Sequence, residues 1–177
     1  VIPPNDLPAV EQPAGGFCVI GAGKTAFDAL IWLLANHVDP DDIRWIAPRD
    51  SWSINRAVTQ PGDGFRRSEQ IDMIADATSR TALFEALESS GHLLRIDPSV
   101  EPTMYRCATV TEAEVAELRR ITQVVRGGRV SRITSSSIEL DDGSLAGRPD
   151  TIYVDCPADG LDRLDPAPVF PAGRITM

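Results

Sequence analysis

The chain has 177 residues, 42% of them hydrophobic, enough for one domain around a buried core and too apolar for a disordered tail. Seventeen basic residues against 26 acidic ones leave a net charge of −9, so the overall field repels phosphate backbones and anionic lipid. Neither nucleic acid nor a membrane surface is expected as a partner, and the three cysteines, Cys18, Cys107 and Cys156, form no CxxC pair and no even disulfide set, which fits a reduced, cytoplasmic setting.

Residues 1–16 contain Pro3, Pro4, Pro8, Pro13 and a Gly15-Gly16 pair without apolar periodicity. They predict an extended linker, or a strap across a domain face, leading in from a preceding segment. The run Phe17-Cys18-Val19-Ile20 is short, apolar and glycine-bounded, as a strand buried on both faces would be. From Lys24 to Ala35 helix formers dominate and the sequence is apolar nearly all round, which predicts a helix covered on several sides. The whole stretch 17–35 is broken by Gly21, Gly23, Lys24 and Asp28, so it is core and not a membrane span. A second strand is expected over 43–47, stopped by Pro48.

Strand, tight turn, buried helix and strand within about 31 residues make a βαβ unit, which requires a parallel sheet and places the chain in the α/β class. Residues 48–65, with Pro61, Gly62 and Gly64, predict a loop. Helical spacing follows over 68–90, with a break around 78–81, and 93–96 is expected to be a third parallel strand. Pro98 and Pro102 predict irregular chain over 97–111. At Thr111 an N-cap residue with Glu114 three positions later is a capping box, opening a short helix with Val115, Leu118 and Ile121 on its apolar side. The period then switches to two. Strands over 122–125, 129–135 and 137–140 predict a three-stranded antiparallel meander, after which Asp142-Gly143 turns the chain towards a last buried strand at 151–156.

Chemistry gathers at Gly21-Ala22-Gly23-Lys24-Thr25-Ala26, which satisfies G-x-G-x-x-G/A at the junction of the first strand and helix. There the first glycine permits the tight turn, the second lets a pyrophosphate approach the backbone, and Ala26 keeps the helix close to the sheet. The free N–H groups of Gly23 to Thr25 would meet the phosphates at the positive end of the helix dipole. A bare glycine turn is the alternative. Gly23-Lys24-Thr25 also ends a Walker A pattern, but the glycine that pattern needs five residues before Gly23 is Cys18, inside the strand. At the end of the second strand, where an acidic residue would select NAD, stands Pro48-Arg49, and a guanidinium there suits the 2′-phosphate of NADP. Asp50 beside it opposes that reading, and Arg49 as a solvated loop residue stays open. Trp45 and Trp52 flank the expected adenosine end, as packing or as a stacking surface. His37 and His92 lie in no metal spacing and no G-x-S-x-G occurs, so no metal ligand and no catalytic acid, base or nucleophile is assigned.

The segment Phe17 to Asp28, the expected meander, and Val154-Asp155-Cys156-Pro157-Ala158-Asp159-Gly160 resemble the NAD(P)-binding domain of two-dinucleotide flavoproteins, particularly those like the flavin-containing monooxygenases. The resemblance implies a Rossmann-like three-layer fold, a parallel sheet with an inserted three-stranded antiparallel meander. It implies a preceding linker over 1–16, an NAD(P)-binding domain over 17–160 and a C-terminal connection over 161–177. NADP(H) would be held by Gly21, Ala22, Gly23, Lys24, Thr25, Ala26, Arg49 and Ala158, the last in an imperfect match to the family's Ala-Thr-Gly turn. FAD would be held by other segments of the same polypeptide and not by this chain alone, which carries one fingerprint and is expected to be inactive in isolation. The alternatives are a dinucleotide-sensing module without redox turnover and a non-catalytic Rossmann scaffold whose pocket is vestigial.

Overall fold

A computed structural model describes residues 1–61 and 66–157, apart from the side chains of Arg106 and Cys107. Ala158 and the expected C-terminal connection lie outside the described residues. Four strands, β1 (Phe17–Ile20), β2 (Ile43–Ile46), β6 (Gln123–Val125) and β10 (Ile152–Asp155), form a parallel sheet in the order β10-β1-β2-β6. Two helices, α1 (Lys24–Ala35) and α4 (Glu112–Leu118), cover one face. The meander of β7 (Val130–Ile133), β8 (Ser137–Leu140) and β9 (Gly143–Ala146) covers the other.

Side-chain alternation along the strands builds these layers. Phe17, Val19, Ile43, Trp45 and Val154 enter the core with Phe27, Leu30 and Leu33 of α1 and Leu118 of α4. Cys18, Ile20, Ile46 and Tyr153 face the meander, whose Ile138 is fully buried among them. The fold is therefore mixed α/β, with a parallel sheet between a helical layer and an antiparallel one inserted between β6 and β10.

A second sheet branches off between β2 and β6. It has the order β4-β3-β5, with β3 (Ser51–Asn55), β4 (Leu93–Leu94) and β5 (Met104–Val110). Helices α2 (Arg67–Asp76) and α3 (Arg80–Ser89) complete this part, and Ser79 caps α3 through its Oγ, 3.1 Å from the Ala82 amide, at the expected break. Trp52, Leu87 and Leu93 form its small core.

Four expectations are corrected here. Residues 48–65 are not all loop: β3 is a buried strand, hidden in the sequence because Ser51, Ser53 and Asn55 occupy buried positions with polar side chains. The strand at 93–96 is only Leu93–Leu94 and runs antiparallel to β3, because Gly91 at φ +75° turns the chain back directly after α3. Residues 97–111 contain the seven-residue β5, parallel to β3, whose two-residue period is interrupted by a register shift opposite Trp52 and Ile54. The strand near 122–125 belongs to the parallel sheet beside β2, and β9 takes its place as the third meander strand. Of the two expectations for residues 1–16, the strap is the one observed: Pro4–Ala9 form a 3₁₀ helix that buries Leu7, and Ile2 pairs parallel with Val154 beyond β10.

Candidate functional site

The end of β1 is fixed from three directions. The Gly21 amide donates to the Ile46 carbonyl at 2.9 Å, the Trp45 indole N–H donates to the Gly21 carbonyl at 2.7 Å, and the Cys156 amide donates to the Ile20 carbonyl at 3.0 Å. Gly21 has φ +127°, a conformation that side chains rarely adopt, and a β-carbon there would stand 3.2 Å from Cys156 Cβ and 3.4 Å from Ala26 Cβ. The first glycine is therefore required by the turn and by its packing. Ala26 is buried where the helix meets the sheet.

Gly23 differs. Its φ of −111° and ψ of −178° suit any residue, and a β-carbon built on it meets nothing within 4 Å. Neither backbone nor packing asks for glycine here. Gly23 is the N-cap of α1, no side chain caps the helix, and its first backbone bond runs from the Phe27 amide to the Gly23 carbonyl at 3.0 Å. The amides that precede Phe27 have no partner inside the helix.

A cavity of about 750 Å³ opens above this turn. Gly21, Ala22, Gly23, Lys24 and Thr25 line it, together with Arg49, so six of the eight expected binding residues share one space. Ala26 lies beneath in the core, and Ala158 is not described. Asp155 and Cys156 at the end of β10, Ser51 and Met104 from the second sheet, and the 129–133 stretch containing β7 complete the walls.

Lys24 does not present a free charge. Its ammonium lies 2.5 Å from Asp28 and 3.1 Å from Glu114, tying the start of α1 to that of α4. Burial alone would lower the Lys24 pKa, but the hydrogen bonds it donates to both carboxylates outweigh this and raise it above its ordinary value. Asp50 is likewise engaged: its carboxylate takes two bonds from Arg126, at 2.6 and 3.2 Å. Arg49, exposed on the cavity wall, makes no such bond among the described residues. Both tryptophans pack in the interior. Trp45 meets Phe27 edge to face, and Trp52 stacks on Phe84 with Arg95 over its ring.

Sequence reasoning missed three wall residues with chemical content. Arg129 and Arg132 are exposed cations on the meander side, and Ser51 is a buried residue whose hydroxyl has no partner among the described residues. A buried hydroxyl without a bond costs about 1–3 kcal/mol. The arginines left a trace, a basic pair following Gly127-Gly128, whereas Ser51 left none. Cys156 is held protonated, its pKa raised to about 11 by burial and then by Asp155. His92 is buried between Ser90 Oγ and the Arg66 carbonyl, a structural role. Among the described residues no cluster of three His, Cys, Asp or Glu side chains could hold a metal, and no helix is long and apolar enough to cross a membrane.

No family model matches the chain. Uncharacterized proteins of Mycobacterium tuberculosis and Mycobacterium bovis are 47% identical to it over 182 residues, covering 99% of this chain and 34% of each relative. The chain thus spans about a third of the length of the curated relatives it matches.

Proposed function

We propose that this chain is a Rossmann-type NADP(H)-binding domain of a flavin-dependent oxidoreductase, holding the nicotinamide for hydride transfer to FAD carried by segments outside it. The observation that carries the reading is Gly23. A glycine that neither its dihedrals nor its neighbours require, with open space where a side chain would stand, is what a backbone-approaching pyrophosphate needs. The cavity is also of suitable size, since sites for small molecules and cofactors occupy roughly 300–1,000 Å³. It lies where ligands bind in open α/β sheets, beyond the carboxyl ends of the parallel strands.

Bound NADPH would supply the hydride. The chain's own part is binding and orientation: the uncapped amides of the α1 turn face the diphosphate, and Arg49 meets the 2′-phosphate with Asp50 neutralised by Arg126. The thiol of Cys156 stays protonated near neutrality and offers no nucleophile.

Calorimetric titration of the chain with NADPH, NADH and FAD tests the reading. NADPH should bind and FAD should not. Gly23→Val should abolish NADPH binding with circular dichroism unchanged, because the added side chain fills space that the fold leaves empty. Wild-type affinity in Gly23→Val would reduce the loop to a bare turn. Tight retention of FAD by the chain would overturn the domain assignment, and NADPH binding without flavin reduction in the longer relatives would favour a sensing role.

A further inference from the structure

Among the described side chains, most cations are engaged. Arg44, Arg56 and Arg119 donate to the carbonyls of Ala146, Thr109 and Ile96, and Lys24, Arg66, Arg95, Arg120 and Arg126 are in ion pairs. Four guanidinium groups make no hydrogen bond or ion pair to another described residue: Arg49, Arg80, Arg129 and Arg132. Three of these four, all but Arg80, line the same cavity. In a chain of net charge −9, with carboxylates in excess, such sorting leaves positive charge where it has no internal partner.

Two of the three, Arg129 and Arg132, lie at β7 with their guanidinium groups unpaired among the described residues. Arg129 is anchored through its backbone, its amide donating to Asp141 Oδ2 at 2.8 Å and its carbonyl accepting from the Asp141 amide at 3.0 Å. Its guanidinium takes no part. Arg132 stands opposite Glu139 in the β7–β8 register, yet the two form no ion pair. Asp155 is the one carboxylate among the described residues lining the cavity.

We propose that Arg129 and Arg132 are diphosphate-binding residues, supplied to the dinucleotide site by the antiparallel layer. The inference rests on the dinucleotide reading above. A diphosphate diester brings two negative charges, and the glycine turn answers them only with N–H dipoles. The lysine of that turn is already balanced by Asp28 and Glu114. With Arg49 given to the 2′-phosphate, the remaining unpaired positive charge on the described cavity wall is that of Arg129 and Arg132. The inserted meander is then a functional wall of the site as well as a cover for the sheet.

The test is calorimetry on the whole chain and on the double variant R129Q/R132Q, with NADPH, NADH and inorganic pyrophosphate as probes at low and high salt. Both residues are exposed, so the fold should persist, and circular dichroism checks it. Loss of about tenfold in affinity per guanidinium is expected. The loss should be equal for NADPH and NADH, because both carry the diphosphate, and it should shrink at high salt. Unchanged affinity in R129Q/R132Q, with Gly23→Val still abolishing binding, would overturn the inference and leave the dinucleotide reading intact. Loss for NADPH alone would also overturn it, since it would move the two arginines to the 2′-phosphate. Should the wild-type chain bind pyrophosphate through these arginines but neither dinucleotide, the dinucleotide reading fails and the pair stands as a diphosphate site. Binding of none of the three probes would sink both.

Discussion

At Arg49 and Asp50 two adjacent charges meet different fates. Asp50 is largely buried and held by Arg126, which also reaches Asp97 at 3.0 Å, so its charge is neutralised within the fold. Arg49 remains exposed on the cavity wall. The sequence shows only that the two are neighbours, because the partner of Asp50 comes from 76 residues away. In the same way G-K-T suggests a phosphate-binding lysine until Glu114, 90 residues on, is found beside it. Glycine requirements were legible because turn geometry is local, and charge pairing was not because it is tertiary. If Arg49 forks onto the 2′-phosphate, Arg49→Ala should weaken NADPH binding about tenfold, the lower end of what charged hydrogen bonds contribute, given its exposure to screening salt. NADH affinity should hardly change. Equal losses for both cofactors, or none, would remove the NADP preference and leave a general dinucleotide site.

Among the elements, α4 shows how a local signal and a distant contact reinforce each other. Its capping box was readable from Thr111 and Glu114, and both halves are present: the Glu114 amide donates to Thr111 Oγ1 at 3.1 Å and the Thr111 amide to Glu114 Oε2 at 2.6 Å. Thr111→Ala should cost about 1 kcal/mol of stability, the usual value of such a cap, measured as a shift in urea midpoint. Glu114 adds a pH signature. Burial pushes its carboxyl up, but the Thr111 amide and the Lys24 ammonium more than offset this, so its pKa lies below the ordinary 4.5. A group depressed on folding stabilises above its unfolded pKa, and that contribution disappears as pH falls through the folded value. Glu114→Gln should therefore flatten part of the stability loss below about pH 4.5, read as the difference from wild type so that Asp97, also held low by the Ser99 side chain and amide, cancels. Parallel acid profiles would mean that neither the Thr111 cap bond nor the Lys24–Glu114 link is maintained in solution. The strands were less legible than this helix: β3 conceals buried positions under serine and asparagine, and β9 offers only Leu145 as a large apolar residue in four.

Across the whole molecule, the parallel sheet is the element on which both the layers and the cavity depend. Its β10 edge carries Asp155 and Cys156 to the cavity wall and is itself covered by the strap, where the Ile2 amide donates to the Tyr153 carbonyl at 2.8 Å and the Asp155 amide to the Ile2 carbonyl at 2.9 Å. The strap's single buried anchor, Leu7, is 2% exposed and packs in the same core as Phe17, Phe27 and Val154. One anchor in a six-residue 3₁₀ turn produces no periodicity, so the sequence could not choose between a linker and a strap. Leu7→Ala removes that anchor and should cost about 2–5 kcal/mol, the range for truncating a buried leucine and leaving a void. Dinucleotide affinity should fall much less, since Leu7 does not line the cavity. Urea denaturation and NADPH titration on the same preparation separate the two effects. A destabilisation under about 0.5 kcal/mol, the range of ordinary surface substitutions, would mean that residues 1–16 lie on the domain without being part of its core.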